Sequence, residues 1–179
     1  STLLNVPHSI TNGSTRASGS PGYDRSVDYV VQRMQAAGYN VTVQPFQFQT
    51  FVSLSPAVLE QVSPAPAGPL PNNILSYSGS GNVTAGVTVV PNLGCNAADF
   101  ASFIPGTIAL ISRGTCTFAI KTNNAVAAGA LAVIIYNNTA GPINGTLGNN
   151  FTLNIAVTSV TQELGRQLAA ASAEQFDAW

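Results

Sequence analysis

Charged side chains are scarce in this sequence. Lysine and arginine together number 6, aspartate and glutamate 7, and the net charge is -1. Charged residues make up 7% of the chain, against about 25% in an average globular domain. The cations are scattered along the chain, so phosphate neutralisation cannot supply affinity for nucleic acid. We therefore predict no nucleic-acid partner.

Histidine and cysteine are also rare, with one histidine, His8, and two cysteines, Cys95 and Cys116. A hydrolytic zinc site or a Ser/His or Cys/His couple needs more ligands or a histidine close to its nucleophile. Two cysteines without a second pair or a nearby histidine make a poor zinc site, whereas their pairing would fasten a strand to a turn. We predict a disulfide between Cys95 and Cys116, and no metal, cofactor or catalytic residue.

Long apolar runs are missing too. None reaches the roughly 20 residues that span a bilayer, and Ser1 is not followed by a charged and then an apolar region, which predicts that any signal peptide has been removed. N-glycosylation sequons are present instead. Together with the even cysteine count and the single lysine, they predict a secreted glycoprotein with no membrane partner. The predicted acceptors are Asn12, Asn40, Asn82, Asn137, Asn144 and Asn150.

The strongest pattern in the chain lies between residues 107 and 136. Residues 107–112 (TIALIS) and 131–136 (LAVIIY) are short apolar runs, typical of strands buried on both faces. Between them the sequence has a turn at Arg113, a capping residue at Thr117 and a helical pattern that stops at Gly129. A strand, a helix and a strand over about thirty residues predict a right-handed βαβ unit with parallel strands.

This stretch resembles a known family. GTIALISRGTCTF from Gly106, then Lys121, then AAGALAVIIYNN from Ala127 are similar to the protease-associated domain. The resemblance implies an α/β (α+β) fold with a small open mixed sheet or a partial barrel. It also implies a domain that is inserted into or appended to peptidases and sorting receptors, and that binds peptides or regulates substrate access without performing chemistry.

The amino-terminal part carries a second resemblance. Residues 21–37 form a predicted helix, capped by Ser20 and ended at Gly38, and residues 40–52 alternate apolar and polar residues as a strand does. Residues 15–48 resemble the start of secreted and vacuolar fungal zinc aminopeptidases of the aminopeptidase Y type. In that family the protease-associated insert follows this start, and the zinc ligands come later, which here means beyond Trp179.

Prolines divide the chain. Because they crowd residues 55–73, we expect a semi-extended connector there. The predicted organisation is a helix-strand segment over residues 1–54, the connector over 55–73 and the protease-associated domain over 74–179. Within the last part, strands are expected at 74–77, 83–90 and 155–158, and a closing helix at 161–173.

A ligand site is expected at the carboxyl ends of the two parallel strands, where open αβ sheets place ligands. The residues that we expect to form it are Arg113, Gly114, Thr115, Tyr136, Asn137 and Asn138, with Tyr136 as a stacking surface. A solvated turn arginine is an equal alternative for Arg113.

The predicted function is a secreted, non-catalytic recognition module for peptides or proteins. The alternatives are a lectin-like glycan-binding protein and a non-catalytic fragment of a zinc aminopeptidase. A second copy of the chain is a further candidate partner, because the amino-terminal helix and strand need cover.

Overall fold

The computed structural model describes residues 15–174, and the chain divides into two compact units, Ser1–Phe48 and Gln49–Trp179. His8, the sequon at Asn12 and the last residues of the chain, 175–179, lie outside the described residues.

In its described residues, 15–48, the first unit contains one helix, α1 (Pro21–Ala36). The predicted cap is confirmed, because the Ser20 hydroxyl accepts a hydrogen bond from the backbone N–H of Tyr23 at 3.3 Å. The predicted end is confirmed by Gly38, whose φ of 86° is in the left-handed region that glycine adopts without strain.

The strand predicted for residues 40–52 is wrong. No β-ladder forms over these residues, because the alternating pattern requires a neighbouring strand that supplies hydrogen bonds. Val43, Phe46 and Phe48 are consequently exposed in the first unit.

The second unit opens with a small hairpin in the region predicted as a connector. Strand β1 (Glu60–Gln61) pairs antiparallel with β2 (Gly68–Pro69). The Leu70 N–H extends the pairing by donating to the Leu59 carbonyl at 2.8 Å. The proline-rich stretch is therefore partly folded. Pro69 lies in a strand of only two residues, where its missing N–H is tolerated.

The main sheet has five strands in the order β3-β7-β6-β5-β4. Strands β4 to β7 are mutually parallel, and β3 runs antiparallel to β7 at one edge. This open mixed sheet confirms the predicted α/β class and the central βαβ unit; it does not close into a barrel. The strands are β3 (Asn73–Ile74), β4 (Val87–Val89), β5 (Ile108–Ser112), β6 (Ala132–Tyr136) and β7 (Ala156–Val160).

Helices cover both faces of this sheet. Helix α2 (Phe118–Ala127) joins β5 to β6, and α3 (Gln162–Glu174) follows β7. A 3-10 helix, Ala97–Phe100, precedes β5. The Thr117 hydroxyl caps α2 by accepting from the Ile120 N–H at 3.3 Å, as predicted.

The two central strands are buried on both faces. Ala109, Ile111, Val133 and Ile135 form one core cluster together with Ala125 of α2. Leu110, Ile134 and Val160 form the other, against which Leu164 and Leu168 of α3 pack. The continuous apolar runs of the sequence therefore correspond to strands with helices on either side.

Strand β3 is shorter than the sequence predicts. Tyr77 has a φ of 67°, which takes the chain out of the extended conformation soon after Ile74. The Ser78 hydroxyl then accepts a hydrogen bond from the Val157 N–H at 2.8 Å, so a side chain takes the place of a ladder partner.

Candidate functional site

The two segments predicted to form a site meet at the carboxyl ends of β5, β6 and β7. The Arg113 N–H donates to the Tyr136 carbonyl at 2.8 Å, and the Asn137 N–H donates to the Val160 carbonyl at 3.1 Å. Each residue thus continues the parallel ladder by one step. The predicted meeting of the two segments follows from the parallel register of the strands.

Asn137 is the organising residue of this edge, and its side chain is only 2% exposed. Its amide nitrogen donates to the Gly141 carbonyl at 3.0 Å and to the Pro142 carbonyl at 3.5 Å. Its Oδ1 accepts from the Asn138 N–H at 3.0 Å and from Arg113 Nη1 at 3.2 Å. An amide with all its hydrogen-bonding groups engaged cannot rotate freely, so it holds the guanidinium in place.

A glycan on Asn137 would require the same buried nitrogen. The prediction that this sequon is an acceptor is therefore corrected for the folded chain. The acceptors that remain predictions within the described residues are exposed: Asn40, Asn82, Asn144 and Asn150.

Arg113 is exposed at the end of β5. Its guanidinium has five N–H donors in a planar fork, and the contact with Asn137 uses one of them. A cation that is fixed by a buried amide and is still open to solvent can bind the carbonyl or carboxylate oxygens of a ligand. Asn138 lies beside it, exposed, with its carbonyl accepting from Gln162 Nε2 of α3 at 2.8 Å.

The other predicted site residues support the fold around this edge. A Cβ on Gly114 would stand 2.6 Å from Leu93 Cδ1, so glycine permits the turn to lie against Leu93. Thr115 is exposed, and its hydroxyl lies 3.9 Å from Cys95 Sγ.

Tyr136 is half-buried and packs with Leu110 and Ile134 under α3. A Cβ on Gly165 would come within 2.1 Å of Tyr136 Cβ, which places the two residues in direct contact. The prediction that Tyr136 is a stacking surface for a ligand is therefore revised. Side chains alternate along a strand, and this one belongs to the face that α3 covers.

A shallow cavity of about 120 Å³ lies at the end of β7. Ser159 lines this cavity, and its hydroxyl donates to the carbonyls of Asn73 at 3.1 Å and Ile143 at 3.3 Å. The cavity can accept one small apolar group. Its lining includes Pro71, Pro142, Ile143, Val160 and Thr161.

The predicted disulfide is confirmed. Cys95 and Cys116 are joined with an S–S distance of 2.06 Å over a sequence separation of 21. The bond connects the loop after β4 to the turn that follows Arg113, so it fastens the start of the βαβ unit to its first turn.

The loop that carries Cys95 is also held by a buried acid, Asp99. Its carboxylate accepts from the Cys95 N–H at 2.9 Å, from the Asn96 N–H at 3.3 Å and from Asn92 Nδ2 at 3.1 Å. Burial raises the pKa of this carboxyl, but the hydrogen bonds from Asn92 and from the backbone of Asn96, Cys95 and Gly94 outweigh burial. The pKa of Asp99 is therefore below its ordinary value of 3.8.

Lys121 of α2 reaches the same loop and is completely buried. Its ammonium donates to the Leu93 carbonyl and lies 3.7 Å from Cys95 Sγ. Burial lowers the pKa of Lys121 below its ordinary value of 10.5, and attraction to the Asp99 carboxylate opposes this only in part. Asn124, one turn further along α2, donates to the Gly94 carbonyl at 3.1 Å.

The sequence predictions do not include this buried group of Asp99 and Lys121. A signal was available, because Lys121 is four residues before the buried Ala125 and therefore on the covered face of α2.

The lowered pKa of Asp99 should make the free energy of unfolding depend on pH. Because its folded-state pKa is lower than its unfolded-state pKa, its stabilising contribution is complete above the ordinary value of 3.8 and is lost as the pH falls through the folded-state value. We expect the difference in free energy of unfolding between the native protein and Asp99→Asn to shrink between about pH 5 and about pH 2. Urea titrations over this range measure it. A difference that is constant with pH would contradict the assignment.

Neither a metal centre nor a membrane-spanning helix emerges from the described residues. No group of three or more His, Cys, Asp or Glu side chains in residues 15–174 could hold a metal ion. None of the helices in this part combines the length and the apolar character needed to cross a bilayer.

Comparison with known proteins assigns the second unit to a family. Residues 80–168 match the family model described as the PA domain, that is, the protease-associated domain. These residues form a PA domain. The PA domain includes Arg113 and Asn137 at the carboxyl ends of the strands. It also includes the disulfide between Cys95 and Cys116, and Lys121 beside it.

The relatives are aminopeptidases from bacteria and fungi. An aminopeptidase of Pseudomonas aeruginosa is 42% identical over 171 residues, which are 86% of this chain and 32% of the relative. A probable leucine aminopeptidase 2 of Aspergillus oryzae is 33% identical over 170 residues, which are 92% of this chain and 33% of the relative. The chain therefore spans about a third of the length of the curated relatives that it matches.

Solved structures give the same result. An aminopeptidase from Aneurinibacillus sp. strain AM-1 superposes with a TM-score of 0.78 at 37% identity, over 94% of this chain and 39% of its own. A zinc aminopeptidase from Bacillus subtilis superposes with a TM-score of 0.63 at 27% identity, over 95% of this chain and 40% of its own. Residues 15–174 of this chain contain no group of three or more His, Cys, Asp or Glu side chains that could hold such a zinc ion.

Proposed function

We propose that this chain is the non-catalytic, PA-bearing part of an aminopeptidase-like protein, and that its PA domain binds a peptide or protein ligand. The proposed site is the carboxyl edge of the sheet, defined here by Arg113, Asn137 and Asn138 together with the cavity at the end of β7. The observation that carries the proposal is the hydrogen bond that fixes an exposed arginine to a buried asparagine, 3.2 Å from Nη1 to Oδ1.

The composition supports a non-catalytic role for these residues. A two-metal peptidase centre needs several histidine and carboxylate ligands, whereas this chain has one histidine and seven acidic residues. The superposition with the Aneurinibacillus enzyme covers 94% of the chain, so it extends into residues 1–48. The exposed Val43, Phe46 and Phe48 of that unit are suited to burial against further parts of a larger protein.

Peptide recognition is favoured over glycan recognition by the position of Tyr136. Sugar sites commonly use an exposed aromatic face as well as hydrogen bonds, and this ring packs under α3. The fixed guanidinium and the small cavity fit a chain that carries oxygen acceptors and apolar side chains, as a peptide does. The disulfide and the exposed sequons support a location outside the reducing cytosol.

A binding screen tests the proposal. The protein is presented to a peptide library and, in parallel, to a glycan array, and affinities are measured for the best ligands. We expect peptide ligands of roughly micromolar affinity, weakened roughly 10- to 100-fold by Arg113→Ala, because a charge-assisted hydrogen bond is lost. Arg166→Ala, which removes an exposed arginine from α3, is the matched control and should bind as the native protein does.

Two results would overturn the proposal. One is the absence of any peptide or protein ligand, with or without glycan binding. The other is equal loss of affinity in Arg113→Ala and Arg166→Ala, which would show that binding depends on overall charge and not on the carboxyl edge.

A further inference from the structure

The disulfide lies in an environment that differs from that of an ordinary structural staple. Cys95 Sγ is 3.7 Å from the ammonium of Lys121, which is completely buried, and 3.9 Å from the Thr115 hydroxyl. A cation beside a sulfur stabilises the thiolate that forms when the bond is broken. The ammonium contacts the sulfur of Cys95.

The loop that carries Cys95 is held by hydrogen bonds as well as by the disulfide. Asp99 accepts hydrogen bonds from the Cys95 and Asn96 N–H groups, Lys121 donates to the Leu93 carbonyl, and Asn124 donates to the Gly94 carbonyl. None of these bonds involves a sulfur atom, so we expect them to remain when the sulfur–sulfur bond is broken. A newly formed Cys95 thiolate would therefore stay beside the ammonium.

We propose that Cys95–Cys116 is a thiol-exchange site, at which a small thiol adds to Cys116 while Cys95 departs as a thiolate stabilised by Lys121. In this step the thiolate of the small molecule attacks Cys116 Sγ, a new sulfur–sulfur bond forms there, and the electron pair of the old bond moves to Cys95 Sγ. One negative charge is present before and after the step. A second thiol then attacks the adduct, which gives the Cys116 thiol and the oxidised small molecule.

The direction of attack follows from the charges around the two sulfurs. Exchange is faster when the leaving thiol has a low pKa, and a neighbouring lysine lowers the pKa of a thiol. Asp99 is the opposing charge at this site, but its carboxylate is already engaged by N–H groups of Cys95 and Asn96 and by Asn92. Arg113, near Cys116 in the chain, is directed to Asn137. Lys121 is the charged group in contact with Cys95 Sγ.

The experiment uses reduced glutathione as the probe with the full chain in its oxidised form. Samples are quenched with acid during the reaction, remaining thiols are alkylated, and peptide mass spectrometry locates the adduct. We expect glutathione on Cys116 and a free thiol on Cys95 in most singly modified molecules. Glutathione found mainly on Cys95, or equally on both cysteines, would overturn the proposal without any measurement on a variant.

Two variants separate charge from packing. Lys121→Met keeps an unbranched side chain at this buried position but removes the ammonium. We expect this variant to exchange about tenfold more slowly and to show a weaker preference for glutathione on Cys116. Asn124→Ala removes an uncharged contact between the same helix and the same loop, and should slow exchange less than Lys121→Met does. Unchanged rate and site in Lys121→Met would contradict the role of the lysine.

A second readout applies to the fully reduced protein. The pH profile of iodoacetamide labelling should give Cys95 a pKa below the ordinary thiol value of about 8.5, and Cys116 a value near it. This test depends on neither the ligand nor the carboxyl edge, so it can fail while the proposed function stands. A Cys95 pKa at or above the ordinary value would contradict the exchange site.

Discussion

Replacing both cysteines with serine should lower the free energy of unfolding of the PA domain by about 3 kcal/mol. The disulfide closes a loop with a sequence separation of 21, and in the chain-entropy account a loop of this size limits the unfolded ensemble by about that amount. Urea denaturation of the Cys95→Ser, Cys116→Ser double variant against the oxidised native protein measures the difference.

The reduced native protein is the control for this experiment. It has lost the same constraint without a substitution, so its denaturation midpoint should lie close to that of the double variant. Because domains of this kind have roughly 5–15 kcal/mol of stability, both proteins should remain folded in the absence of denaturant. A midpoint equal to that of the oxidised protein would show that the disulfide does not stabilise the fold.

Gly165→Ala should lower the free energy of unfolding by about 2 kcal/mol, although helix propensity alone predicts a gain. Alanine is about 1 kcal/mol better than glycine inside a helix, and Gly165 lies within α3. The added Cβ would stand 2.1 Å from Tyr136 Cβ and 2.3 Å from Tyr136 Cγ. Those atoms are fixed by strand β6, so α3 must move away from the sheet, and overpacking typically costs 1–3 kcal/mol or more.

Ala170→Gly is the matched variant on the same helix. Residue 170 is exposed, so the substitution changes propensity without changing packing and should cost about 1 kcal/mol. Thermal and urea denaturation of both variants separate the two effects. A stabilised Gly165→Ala would mean that Tyr136 is not held against α3, and the ring would again be a candidate ligand surface.

The parts of the fold that sequence could predict are those decided by local chemistry. The central βαβ unit follows from two apolar runs with a capped helix between them. Ser20, Thr117 and Gly38 mark helix ends because their own side chains or backbone preferences determine the cap. The disulfide was predictable because the chain offers only two cysteines.

The failures come from contacts that the local residue pattern does not show. Residues 40–52 have a strand pattern but pair with no strand among the described residues 15–174, so Val43, Phe46 and Phe48 are exposed instead. Tyr136 was assigned to the ligand face because it ends a strand, whereas the alternation of the strand places it under α3. The burial of Asn137 depends on the loop at Gly141 folding back over it, which no local pattern indicates.

The complete burial of Lys121 has a chemical consequence outside binding and stability. It is the only lysine in the chain, and its amine is sealed between α2 and the disulfide loop. Reagents and enzymes that acylate, methylate or cross-link lysine amines therefore find no lysine target on the folded PA domain. Modification of this amine requires α2 to separate from the loop, so a labelled Lys121 records that the domain has opened.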